Sequence, residues 1–391
     1  ISITNKDADM ILAGEVTGNE SVAITNAGSG KAVVSGDITA ETGLSLENSG
    51  LGGADITGSL VNNSGDMSVV NTNGTLLIGG SLQNADGKLS ITNAGDGLEL
   101  TSAGTVKNNG DLVVFNSGDN GMTLNGVIEN TGDSILTNNA GDMNINNTLT
   151  NTQGKLNITN HGDTLNIAGT VTNDDTLKVW NTGANGTNIT GTVSNSNGNA
   201  AIQNDAGDLK IAGLVTNNGS TNITNKGGVL DITGTVDNSD GKLSITNDGI
   251  ALNIDGLVEN NDAMNIVNNG ANGTTINGTV KNAGQTLITN NAGDLNVNGT
   301  VDNTNGKLTL TNNGNALNIA DTATVSNDSE LTIVNAGQGG MNVGGTVTNT
   351  DTTLLTNRAG DMKITGTVTN ENGILNVTNS GNALYLDTTG K

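Results

Sequence analysis

The sequence predicts an all-β fold: a single-stranded right-handed parallel β-helix (β-solenoid) of about 18 coils of 21–23 residues, three short strands per coil. Three observations predict it. Short alternations of aliphatic and polar residues recur at one period along the whole chain. Phe115, Trp180 and Tyr385 are the only aromatic residues among 391, so the core must be filled by Val, Ile, Leu and Met and must be thin. The alternations are closed by Asn, Gly or Asp, and there is no Pro, which suits tight corners between strands.

The stretch from Lys155 to Asp175 serves as the template. Leu156 and Ile158, Leu165 and Ile167, and then Val171 mark three strands, each with one buried face. An Asn closes the first strand of every repeat: Asn5, Asn26, Asn48, Asn71, Asn93, Asn116, Asn138, Asn160, Asn181, Asn204, Asn225, Asn247, Asn268, Asn290, Asn312, Asn335, Asn357 and Asn379. Successive members are 21 to 23 residues apart, and an aliphatic residue stands two positions before each. The second strand ends mostly in Gly (Gly14, Gly58, Gly169, Gly234, Gly299, Gly366), where a tight corner can require positive φ. The third strand supplies another aliphatic column and a second Asn column, with Gly18 and Ala40 in its first two places.

One such repeat cannot bury its apolar face alone, and stacking buries it. At about 4.8 Å per coil, residues 1–391 predict one continuous rod roughly 85 Å long. Parallel crossovers favour the right hand. A slower rhythm of about 66 residues groups the coils in threes, with one extra coil near 220–241. The repeats that open at Ser134, Asn199, Gln285 and Thr352 share the tripeptide Ala-Gly-Asp.

Charge narrows the function classes. With 38 acidic and 14 basic residues the net charge is −24, which opposes nucleic-acid binding and keeps a long chain dispersed. Low aromaticity and high charge also accompany disorder, but the strict register of the apolar residues argues for a packed core. There is no Cys for a disulfide framework, and no run of about 18 apolar residues, so no membrane insertion of this segment is expected. The chain opens inside a repeat, with Ile1-Ser2-Ile3-Thr4-Asn5, and both termini read as truncated from a longer array.

Four candidate chemistries follow. Stacked corner amides can hydrogen-bond along the axis, and Asn tolerates left-handed backbone; a ladder is the structural reading and a glycan-reading surface the functional one. The sequons at Asn157, Asn222 and Asn376 follow from the Ile-Thr-Asn template itself. The aspartates Asp142, Asp208, Asp294 and Asp361 are candidates for weak calcium binding, although calcium needs six to eight converging oxygens and one Asp every third coil does not supply them. Catalysis has little to work with: one His (His161) and one Arg (Arg358), about nine coils apart, and no long loop to wall a cleft. No catalytic residue or cofactor is expected. The position before the first Asn column should point outward; it is often Thr, but reads Phe115, Trp180, Val267 and Val334 every third or fourth coil, as lateral contact spots or as residues covered by loops. Glu47, Gln203 and Trp180 interrupt the Thr column and argue against ice binding.

The Ile-Thr-Asn and Asn-Gly-Thr-Val-x-Asn coils, spread over the whole chain, resemble the repeat regions of filamentous-haemagglutinin-like adhesins, leukotoxin-type filamentous adhesins and autotransporter passengers. The resemblance implies type V secretion and a β-helix on the Gram-negative outer surface that holds an adhesive tip away from the cell. Neither a secretion domain nor a membrane barrel is recognisable in this sequence. The expected function is a non-catalytic structural and adhesive shaft of a bacterial surface or secreted fibre. Its expected partners are a host or neighbouring-cell receptor or glycan, or copies of itself. A self-assembling extracellular filament or surface-layer subunit is the first alternative, and a carbohydrate-active β-helix enzyme or phage tailspike the second.

Overall fold

The computed structural model describes residues 1–387, and every regular element among them is a β-strand. The chain divides into two units, Ile1–Gly198 and Asn199–Lys391. In the first unit each turn of chain lays down three strands, as in Leu156–Asn160, Thr164–Ile167 and Thr170–Asn173. Each pairs in parallel with its counterpart one coil on: Ile158 opposite Val179, Ile167 opposite Ile189, Val171 opposite Val193. Nine strands stack in each of three sheets. The second unit is laid down in the same way, with nine, nine and eight strands among the described residues. The predicted extra coil is an ordinary member of it, with Ile223 opposite Ile245, Ile232 opposite Ile254 and Val236 opposite Val258. The fold is therefore a parallel β-solenoid of three strands per coil.

Period-two alternation decides which side chains enter the core. In Leu156–Asn160 the inward residues Leu156, Ile158 and Asn160 are fully buried while Asn157 and Thr159 are half-exposed. Leu165, Ile167 and Val171 complete the aliphatic triangle of that coil, each at 0% exposure. The core holds no aromatic ring: Phe115 and Trp180 sit half-exposed on the outer side and Tyr385 is exposed. A coil-to-coil rise near 4.8 Å leaves room for aliphatic branches lying flat, and a register of like over like fills it.

Two expectations about the corners are corrected. No residue other than Gly has positive φ among those described, so the ladder asparagines are not left-handed; they end the strands in extended geometry. Nor do the glycines that follow the second strand have positive φ. Their cause is close approach between coils. A Cβ on Gly58, Gly169, Gly234 or Gly299 would stand 2.1 Å from a carbonyl oxygen one coil earlier, and one on Gly366 2.0 Å. In the first coil nothing lies beneath, and a Cβ on Gly14 would meet no atom within 4 Å.

This contrast makes a prediction. Gly234→Ala forces the backbone of two coils apart and should destabilise its unit by about 1–3 kcal/mol, whereas Gly14→Ala should be neutral or slightly stabilising. Denaturant unfolding of the two variants checks it; equal losses would contradict the steric account.

Candidate functional site: axial ladders and outer columns

Two columns of buried asparagine run along the axis of each unit. In the first, the side-chain amide N–H of each Asn donates to the Oδ1 of the next: Asn26 to Asn48 at 2.7 Å, Asn48 to Asn71 at 2.7 Å, Asn138 to Asn160 at 2.9 Å, and in the second unit Asn225 to Asn247 at 2.9 Å and Asn247 to Asn268 at 2.8 Å. The direction is the same at every rung. In many of them the remaining N–H turns to a corner carbonyl, as from Asn290 to Ala292 O at 2.7 Å. Such an amide gives two hydrogen bonds and accepts one, which lets it sit at 0% exposure. The second column, from Asn62 through Asn84, Asn108 and Asn130, follows the same rule.

Sequence reasoning missed a buried hydroxyl set into the second column. In three of the four Ala-Gly-Asp coils the first inward residue is Ser134, Thr286 or Thr353 instead of Leu, each at 0–1% exposure. Its oxygen accepts from the Asn four residues earlier, 2.8 Å for Asn130 to Ser134 and 2.8 Å for Asn282 to Thr286. It donates to the Asn of the next rung, 2.9 Å for Ser134 to Asn151 and 2.7 Å for Thr286 to Asn303. Beside the threonines the direct amide rung lengthens, to 3.4 Å between Asn282 and Asn303, whereas beside Ser134 it is 3.0 Å. Thr221 makes the same contact to Asn238 Oδ1 at 2.6 Å. The readable signal was Ser or Thr four places after a ladder Asn, where other coils carry Leu or Met.

The Ala-Gly-Asp corners are accounted for residue by residue. Gly141, Gly207, Gly293 and Gly360 all have φ between 61° and 69°, the left-handed region that glycine enters without strain. The Ala carbonyl receives the ladder amide in Asn138 to Ala140 and Asn204 to Ala206. The aspartate reaches one coil on and accepts a backbone N–H: Thr164 to Asp142 at 2.9 Å, Val229 to Asp208 at 2.7 Å, Ala316 to Asp294 at 2.9 Å and Ala383 to Asp361 at 3.1 Å. The four calcium candidates are thus held apart, each on its own backbone donor, and among the described residues no three His, Cys, Asp or Glu side chains converge to hold a metal.

The outer faces differ sharply in charge. In the second unit no outward side chain of the first sheet is charged, and in the first unit only Glu47 and Lys178 are. The third sheet of the second unit instead lines up Asp237, Glu259, Lys281 and Asp302. Lys281 closes on Glu259 at 2.6 Å, and that contact holds its ammonium pKa above the usual value. Partial burial, with the like charge of Glu259 beside it, pushes the Asp237 carboxyl up.

Phe115 and Trp180 in the first unit, and Val267 and Val334 in the second, lie on first-sheet strands, pointing outward and half-buried. Trp180 is bracketed by the His161 ring, edge-on at 5.5 Å, and by the Lys178 ammonium at 4.4 Å. The His161 Nδ1 lies 2.9 Å from the Thr182 hydroxyl. The corner of the first unit carries a shallow polar depression lined by Asn73, Asp96, Ser117 and Asp119.

If the corner aspartates serve the backbone, Asp208→Asn keeps an acceptor and should change stability by only a few tenths of a kcal/mol, while Asp208→Ala should cost about 1 kcal/mol. A metal role predicts instead that both lose calcium-dependent stabilisation, and melting with calcium and with chelator separates the two.

Asp237 supplies a pH test. Its raised folded pKa means that the folded chain holds this proton more tightly than the unfolded chain does. Stability from this group is therefore present at low pH and is lost as pH rises through the ordinary carboxylate value towards the raised one. Asp237→Asn should stabilise the second unit at pH 7, and the gain should vanish below about pH 4. A gain independent of pH would contradict the electrostatic cause.

Compared with protein-family models, curated proteins and solved structures, the chain matches none.

Proposed function

We propose that this chain is a non-catalytic shaft segment of a bacterial surface or secreted fibre, similar in plan to filamentous-haemagglutinin-like adhesins and autotransporter passengers. The observation that carries the reading is where the polar chemistry goes. Buried amides, hydroxyls and the Ala-Gly-Asp carboxylates bond from coil to coil along the axis, as in Asn247 to Asn268 and Val229 N–H to Asp208. Groups committed in this way stiffen a stack; they do not converge on a substrate. Among the described residues the corners are short, and none carries an inserted loop that would wall a cleft.

An extracellular setting fits this reading, with type V export and the Gram-negative outer surface as its most specific form. The adhesive contact would be made with a receptor or glycan on another cell. No helix among the described residues is long and apolar enough to cross a membrane. The second reading is a self-assembling extracellular filament or surface-layer subunit, and the uncharged first-sheet face favours it.

Electron microscopy of the native material tests the proposal. A shaft should appear as a thin unbranched rod without junctions along its contour. Regular junctions at the spacing of one chain would support the filament reading, and compact particles with carbohydrate-cleaving activity would overturn both.

A further inference from the structure

We infer that the outer face of the first sheet is a lateral contact surface for a second copy of this chain. The argument begins from charge. Two molecules that each carry −24 repel one another, and close approach is cheapest where neither presents a carboxylate. In the second unit the outward positions of all nine first-sheet strands are Thr, Ser, Asn, Gln or aliphatic, and none is charged. The third sheet of the same unit presents Asp237, Glu259 and Asp302 to solvent. Within the strands the absence of charge is confined to this sheet; carboxylates reach it only at its edges, where Asp205 accepts from Gln203 and Glu330 from Thr332.

The apolar residues on that face are placed periodically. Val267 lies on the strand next to Leu287, one pleat away, and Val334 stands in the same relation to Leu354 three coils later. Leu287 is 37% exposed, and Ile135, beside Phe115 in the first unit, is 43% exposed. Patches that recur every third coil, roughly 14 Å apart at the strand spacing, can meet the same patches on another copy in several registers. Between them the Thr and Asn side chains offer both donors and acceptors, so facing copies can satisfy one another's polar groups.

Nine strands, each about 13 Å long, make a face on the order of 600 Å² per unit. That lies below the roughly 800 Å² per partner of stable complexes, so one face alone should give weak, concentration-dependent pairing. Because the opposing term is long-range repulsion between acidic molecules, added salt should strengthen it. The inference stands independently of the shaft proposal: a chain that never pairs can still be a shaft, and a chain that pairs need not be one.

Sedimentation equilibrium on the full chain tests it. The expected result is a mass-average that rises with concentration, with a dissociation constant on the order of 100 μM, and that rises further between 0.02 M and 0.5 M sodium chloride. The triple variant Thr246→Glu, Leu287→Glu and Thr311→Glu should weaken pairing at least tenfold. A matched triple on the third sheet (Leu214→Glu, Thr300→Glu and Thr346→Glu) adds the same charge and should change pairing no more than about twofold. Circular dichroism melts confirm that each variant is folded; if a triple is not, the single Leu287→Glu replaces the first-sheet triple and the single Thr300→Glu the third-sheet one. A chain that stays monomeric to millimolar concentration in 0.5 M salt overturns the inference. So does equal weakening by both triples, which would mean that only net charge matters, or weakening by neither.

Discussion

The hydrogen bond from one buried asparagine amide to the next sets the terms for everything else in this chain. A ladder rung of 2.7–3.0 Å, as between Asn26 and Asn48 or Asn268 and Asn290, exists only if the two coils lie one strand spacing apart and in register. The aliphatic columns also demand register, since a slip of one residue would turn every inward side chain to solvent. They would tolerate a slip of two, because Leu over Ile packs nearly as well as Ile over Ile. The amide would not. A shift of two would leave a donor and an acceptor without partners at 0% exposure, at about 1–3 kcal/mol for each unpaired group. The aliphatic residues supply most of the burial, and the asparagines supply its uniqueness.

Much of this was legible because it depends on periodicity. Which residues point inward, which stack on which, and that Asn5 through Asn181 and Asn204 through Asn379 each form a column all follow from a period of two within strands and of 21–23 between them. What stayed hidden depends on distances between coils. Gly234 reads as a left-handed corner, yet it is required because a carbonyl oxygen of the previous coil lies 2.1 Å from where its Cβ would be. Gly207 is the one that is left-handed, one residue from an aspartate whose carboxylate resembles half a metal site until its backbone donor is seen. Ser134 and Thr286 look like imperfect copies of a Leu column and prove to be rungs of the amide column beside it. Composition gave the net charge but not its distribution, which required knowing that alternate positions of a single strand class share one face.

That distribution divides the work among the sides of the coil. The interior carries axial cohesion, the corners carry backbone capping and most of the carboxylates, and the third sheet of the second unit carries a row of charge, with Lys281 closing on Glu259 and the Asp237 carboxyl held above its usual pKa. The first sheet is left free of these duties. A side with no structural or solubilising task is where contact with another molecule can be accommodated without disturbing the stack.

The ladders also explain why such a chain lengthens easily. Every rung points the same way, so a coil accepts from the coil before it and donates to the coil after, and an inserted block brings as many donors as it consumes. The penalty falls at the ends of a column: at the last place of the second, Asn370 Nδ2 is buried without an acceptor among the described residues. Gly18 and Ala40 hold the first two places of the second column and carry no amide, and Asn62 Oδ1 is left buried without a donor among the described residues. The first column begins instead at Asn5, half-buried, where solvent can reach the unpaired oxygen. Since that penalty falls on the ends of a column whatever the number of coils, a three-coil block or a single extra coil such as 220–241 can be added within the array at no cost to the ladder, and the super-repeat is what such additions leave behind.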